Sequence, residues 1–137
     1  MKFLIYLTPW VEMGNPYYVY HEVIHKNLIK CLISFSKPED IIIISGDNQV
    51  DQIKKNTNDL IRHIIVEQKE MRDFAPDDFE WFEKIYCQNP NEELVSKIAN
   101  FYSEKLGNFT PDFIFPYSYH VPYLRKLYPN ALIGSSE

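Results

Sequence analysis

Three segments of the chain carry unbroken apolar runs: KFLIYL (Lys2–Leu7), DIIIISGD (Asp40–Asp47) and PDFIFP (Pro111–Pro116). None alternates polar with apolar residues, as a half-solvated strand would, so each predicts a strand buried on both faces, the signature of a parallel sheet. The four consecutive isoleucines favour strand over helix, because β-branched side chains lose rotamer freedom in a helix and pack well on a pleated surface. RHIIVEQ (Arg62–Gln68) is a weaker strand candidate, and NALIGSS (Asn130–Ser136) predicts a last strand.

Between these runs the apolar spacing becomes helical. Asn15-Pro16 reads as a cap followed by proline in a first turn. Tyr20, Ile24, Leu28, Cys31 and Phe35 then recur as a stripe that Lys37-Pro38 ends. Residues 50–61 are polar and predict a second helix. Residues 67–90 mix acids with Phe74, Phe79, Trp81 and Phe82. They predict a loop and then a short helix from about Pro76-Asp77, either a flap packed on the body or a binding lip for a sugar or peptide. Pro90 to Glu93 opens a further helix with Leu94, Ile98, Phe101, Tyr102 and Leu106 as its apolar face and Gly107 as its stop. YHVPYLRKLYP (Tyr119–Pro129) predicts a short helix before the last strand.

The predicted order is β-α-β-α-β-α-α-β-α-β. Strands joined through helices imply crossover connections and a parallel sheet with helices on both faces. The expectation is an α/β, doubly wound, Rossmann-like three-layer sandwich of about five strands in the order 3-2-1-4-5. Residues 1–137 read as one domain. A strand running directly into Glu137 leads us to expect the N-terminal half of a longer two-domain protein.

Composition narrows the function classes. Hydrophobic residues are 45% and aromatics 15%, enough for a packed core. A net charge of -5 argues against nucleic acid or an anionic membrane as partner, since both attract positive surfaces. Cys31 and Cys87 are the two cysteines, and neither a disulfide framework nor a cysteine zinc site follows from them. No run is long and apolar enough to span a membrane, and MKFLIYLTP lacks the length and cleavage site of a signal peptide. A cytoplasmic location is expected, and any membrane attachment of a longer protein would be peripheral.

HEVIH (His21–His25) matches the H-E-x-x-H pattern of zinc hydrolases, in which both histidines share a helix face and the glutamate activates a metal-bound water. Zinc requires a third protein ligand, and the sequence continues KNLIKC without one. The expectation is no metal: His21 and His25 border the buried stripe. His21, in the opening turns of the first helix, could still face a ligand at the carboxyl ends of the strands without a metal.

One segment carries a family resemblance. In PDFIFPYSYHVPYLRKLYPNALIGSSE, Pro111-Asp112 opens a strand, Tyr119-His120 forms an aromatic-histidine pair, and Leu127-Tyr128-Pro129 closes a short helix. This resembles the last part of the N-terminal domain of GT-B glycosyltransferases, especially the glycogen/starch-synthase-like and bacterial surface-polysaccharide types. It covers residues 111–137; elsewhere only the element order is similar. The glycine-rich loop usual after the first strand is reduced to Gly14. No G-x-G-x-x-G is present, which argues against a nicotinamide-binding domain. The resemblance implies an acceptor-side domain that transfers sugar from a nucleotide-diphosphate sugar to a saccharide or lipid-linked acceptor, with most of the donor pocket on a second domain. It implies no cofactor, and this chain would be inactive alone.

Such chemistry needs a base for the acceptor hydroxyl and stabilisation of the leaving diphosphate. His21 and His120 are the candidate catalytic groups. Trp10 and Tyr119 are candidate platforms for a sugar ring. Glu12, Gly14, Tyr117, Ser118 and Glu137 complete the candidate substrate contacts at strand-end loops. His63 enters a strand and reads as structural. The rival readings are a non-catalytic flavodoxin-like or receiver-like binding domain, and a zinc hydrolase using HEVIH.

Overall fold

Strand β1 (Phe3–Tyr6) has every residue buried, which requires neighbours on both edges and layers on both faces. The computed structural model provides both. It describes residues 1–7, 16–47, 50–57, 60–74, 91–116 and 122–134, with backbone alone for 16–25, 52, 56, 68 and 116. Among them, β1, β2 (Ile41–Gly46), β3 (Arg62–Val66), β4 (Phe113–Pro116) and β5 (Leu132–Ile133) form one sheet in the order β3-β2-β1-β4-β5. Every pairing is parallel. The predicted fold class and strand order are therefore observed.

Register follows from the apolar runs. Phe3 lies opposite Ile41 on one side and Phe113 on the other, so the three most apolar strands start level at the centre. At that starting edge the Lys2 N–H donates to Asp112 Oδ2 at 2.8 Å, and the Asp112 N–H donates back to the Lys2 carbonyl at 2.8 Å. Asp112 of the Pro-Asp pair thus pins the N-terminus to the start of β4, at the end of the sheet away from the carboxyl-end rim.

Strand alternation then sorts side chains into two cores. Phe3, Ile5, Ile41 and Ile43 meet Ile29 and Leu32 of α1 (Pro16–Phe35) and Ile53 of α2 (Val50–Thr57). Leu4, Tyr6, Ile42, Ile44 and Ile114 meet the other layer. That layer comprises α3 (Gln68–Arg72), α4 (Glu92–Leu106) and α5 (Pro122–Leu127), which contribute Met71, Ile98, Tyr102, Tyr123 and Leu124. Each fully buried aliphatic side chain contributes roughly 1.5–3 kcal/mol by leaving water. Helix α4 starts and stops as its sequence predicts. Asn91 Oδ1 accepts from the Glu93 N–H at 2.7 Å, and Gly107, at φ 61°, takes a positive-φ conformation open to glycine where the helix ends.

Several local expectations are corrected. In the described part of α1 the sheet-facing residues are Ile29 and Leu32, flanked by Leu28 and Ile33, while Cys31 and Phe35 are exposed. The stripe is rotated from the predicted one because Leu28, Ile29, Leu32 and Ile33 present more aliphatic surface to the sheet. Helix α2 stops at Thr57 rather than running to residue 61, which lets Ile61 enter the core ahead of β3. β3 ends at Val66, and the expected loop after it begins with α3. The side chain of Glu67 accepts from the backbone of Glu70, and the Glu67 N–H donates to Glu70 Oε2 at 2.9 Å, a reciprocal capping box. The short helix expected near Pro76-Asp77 lies outside the described residues.

Candidate functional site

In a doubly wound sheet, loops leave the carboxyl ends of the strands, and a crevice opens where the winding reverses. Here α1 and α2 cover one face while α4 and α5 cover the other, so the reversal falls between β1 and β4. Those strands end side by side, with Tyr6 opposite Pro116, and the Leu7 N–H continues the ladder to the Ile44 carbonyl at 2.8 Å. The segments that next follow in the sequence are residues 8–15 and 117–121. Neighbouring rim positions carry Asp47 after β2 and Glu67 after β3, both exposed carboxylates.

The sequence-predicted site residues fall as follows. Trp10, Glu12, Gly14, Tyr117, Ser118, Tyr119, His120 and Glu137 lie outside the described residues. His21 and His25 lie in α1, one turn apart on its backbone, with side chains outside the description. The structure therefore brings together the strand ends from which the two predicted loops depart.

Directly beneath this switch point is a group that the pattern reading missed. The Tyr6 hydroxyl lies 3.2 Å from that of Tyr102 and 2.9 Å from that of Tyr123. All three residues are fully buried. The Tyr102 and Tyr123 rings stack with centroids 5.5 Å apart, and Tyr6 meets both edge-on at 5.8 and 6.2 Å. The triad ties the last residue of β1 to α4 and to the first turn of α5. Burial raises the Tyr102 and Tyr123 phenols well above their ordinary range. Three neutral hydroxyls sealed from solvent cannot exchange protons with a ligand, so the arrangement is suited to holding geometry. The sequence signal was available: a tyrosine at an otherwise aliphatic core position needs a partner for its hydroxyl.

A second polar contact lies on the opposite face. Ser45, fully buried near the end of β2, hydrogen-bonds His63 Nε2 on β3. The Ser45 hydroxyl donates to the Gly46 carbonyl at 3.1 Å, which leaves its oxygen able to accept an Nε2–H from His63. Nδ1 is buried and has no hydrogen-bond partner among the described residues. Burial, with Lys54 as a smaller influence, pushes the His63 pKa down from 6.5 to about 4. The pair resembles a nucleophile with its base, but a fully buried Ser45 cannot reach a substrate, and the contact joins two strands.

No three His, Cys, Asp or Glu residues cluster as a metal site among the described residues. No described helix is long and apolar enough to cross a membrane. Comparison with protein-family models, curated proteins and solved structures finds no match to this chain.

Proposed function

We propose that this chain is the acceptor-side domain of a GT-B glycosyltransferase, which works with a donor-binding domain to move sugar from a nucleotide-diphosphate sugar to a saccharide or lipid-linked acceptor. The observation that carries the reading is the switch point between β1 and β4. The two segments that follow those strands hold the aromatic, carboxylate and histidine residues such a reaction needs: Trp10 and Glu12 in one, Tyr119 and His120 in the other. His120 serves as the group that accepts the acceptor proton or holds a phosphate oxygen, and Trp10 and Tyr119 offer flat faces to a sugar ring. The sheet order supports this reading over its nearest rival, because flavodoxin-like and receiver-like domains follow 2-1-3-4-5, whereas 3-2-1-4-5 is the Rossmann order.

The test uses the complete reading frame that encodes this chain. A second Rossmann-like domain after residue 137, with release of nucleoside diphosphate from a panel of nucleotide sugars in the presence of membrane-derived acceptors, is the expected result. His120→Ala should then lower turnover about a hundredfold while the circular-dichroism spectrum is retained. His25→Ala, one turn deeper in α1, should change turnover less than threefold. A stop codon directly after Glu137, or a full-length product inert toward every nucleotide sugar, would sink the proposal.

A further inference from the structure

The tyrosine triad lies where an aliphatic core would be simpler. Its contacts suggest why hydroxyls are there. Tyr6 belongs to the rigid central strand and Tyr102 to the long helix α4, whereas Tyr123 is the second residue of α5, a helix of 6 residues. A helix that short has little intrinsic stability and takes its position from packing. Apolar packing of α5, through Leu124 and the ring of Tyr123, is non-directional and would tolerate small slides or rotations. A hydrogen bond of 2.9 Å between buried hydroxyls does not tolerate them, since a displacement takes the Tyr123 hydroxyl away from its described partner inside the core.

We infer that the Tyr6 hydroxyl, shared between Tyr102 and Tyr123, is a positioning group that fixes where α5 sits against the carboxyl end of β1. On this account the triad defines one wall of the β1/β4 crevice more than it stabilises the fold. The importance of that wall rests on the functional reading above; the positioning itself does not. Among the described residues Tyr6 is the hydrogen-bond partner of both other hydroxyls. The three possible deletions are therefore unequal. Tyr6→Phe deprives two buried hydroxyls at once. Tyr123→Phe leaves the Tyr6–Tyr102 pair intact and releases α5. Replacing all three by Phe removes the three hydroxyls together and keeps the rings.

The experiment combines urea denaturation with hydrogen exchange read by mass spectrometry on segments 92–106 and 122–128 of this chain. Tyr6→Phe should give the lowest urea midpoint of the set. The triple variant should return to within about 0.3 M of the parent. In both Tyr123→Phe and the triple variant, exchange in segment 122–128 should rise about tenfold, with 92–106 unchanged. Parent-like exchange in 122–128 of Tyr123→Phe would overturn the inference. So would equal acceleration of both segments, or a triple variant that does not fold, since each would make the hydroxyls a general stability element. No sugar or nucleotide enters the measurement, so its failure is distinct from failure of the transferase reading.

Discussion

Ser45 and His63 meet on a diagonal. Ser45 is opposite Ile65 and His63 opposite Ile43, so the side chains reach across two strand positions on the face shared with α2. The imidazole is held neutral, with Nε2 bonded and Nδ1 buried without a partner among the described residues. Protonation would place an N–H on Nδ1 where no described acceptor waits, close to the positive Lys54. The folded pKa of about 4 lies below the unfolded value of 6.5, so the folded state disfavours the proton. The neutral form's contribution is fully present above pH 6.5, declines as pH falls through that window, and is gone below about pH 4. The group is partly solvated, so after allowance for screening the loss is on the order of 1–2 kcal/mol. Urea midpoints of the parent and His63→Gln, taken between pH 7.5 and 4, should diverge in slope. Parallel pH profiles would refute the assignment.

Gly134 follows β5, and a Cβ there would lie 2.7 Å from Phe113 Cε1 and 3.1 Å from Cζ. The Phe113 ring also stacks on Phe115 at 4.6 Å, so it yields only by leaving that contact. Gly134→Ala should therefore cost about 1–2 kcal/mol. Phe113→Leu in the same chain should recover most of the increment that Gly134→Ala adds. Additive midpoints in the double-mutant cycle would show that the ring is not the obstacle.

Glu70 has two tasks. Its Oε2 accepts the Glu67 N–H that opens α3, and its Oε1 takes a hydrogen bond from Lys105 Nζ at 3.1 Å. Glu70→Ala should lose both, about 1–2 kcal/mol, whereas Glu70→Gln keeps the cap and should lose less than about 1 kcal/mol. Raising salt should narrow the difference between parent and Glu70→Gln without affecting Glu70→Ala against Glu70→Gln to the same extent.

Leu4 is fully enclosed on the central strand, and Leu132 is 67% exposed on β5. Leu4→Ala should cost about 2–5 kcal/mol, a large share of a small domain's stability. Leu132→Ala should stay within about 0.5 kcal/mol. Thermal denaturation of the pair checks the contrast, because only a fully buried leucine gives the first result.

The contrast between these leucines also shows what could be read from sequence. The central strands were legible because burial on both faces removes every polar position, leaving unbroken runs such as IIII. Order followed from the alternation of strands with helices, read as a doubly wound sheet with the three most apolar runs at its centre. The phase of α1 was less legible. Cys31 and Phe35 fit a helical spacing, yet Ile29 and Leu32 take the sheet, a choice that depends on which face the strands present. α3 was missed because its capping box begins with Glu67, a residue that rarely caps. The triad was missed because Tyr6, Tyr102 and Tyr123 are separated by 96 and 117 residues and no local pattern joins them. The predicted site residues lie almost entirely in segments outside the described residues, next to the strand ends that carry them.

The bond between Lys2 and Asp112 spans 110 residues of sequence. During synthesis β1 leaves the ribosome first, and one of its two edges has no partner until β4 emerges. Through that interval the run FLIY presents an unpaired, wholly apolar edge that only the β2 side can cover. Closing so distant a pairing carries a large loop entropy, which makes the β1–β4 step a slow stage of refolding. A chain released before residue 113 would be an aggregation-prone half-sheet, and chaperone occupancy on nascent chains should persist until β4 has emerged.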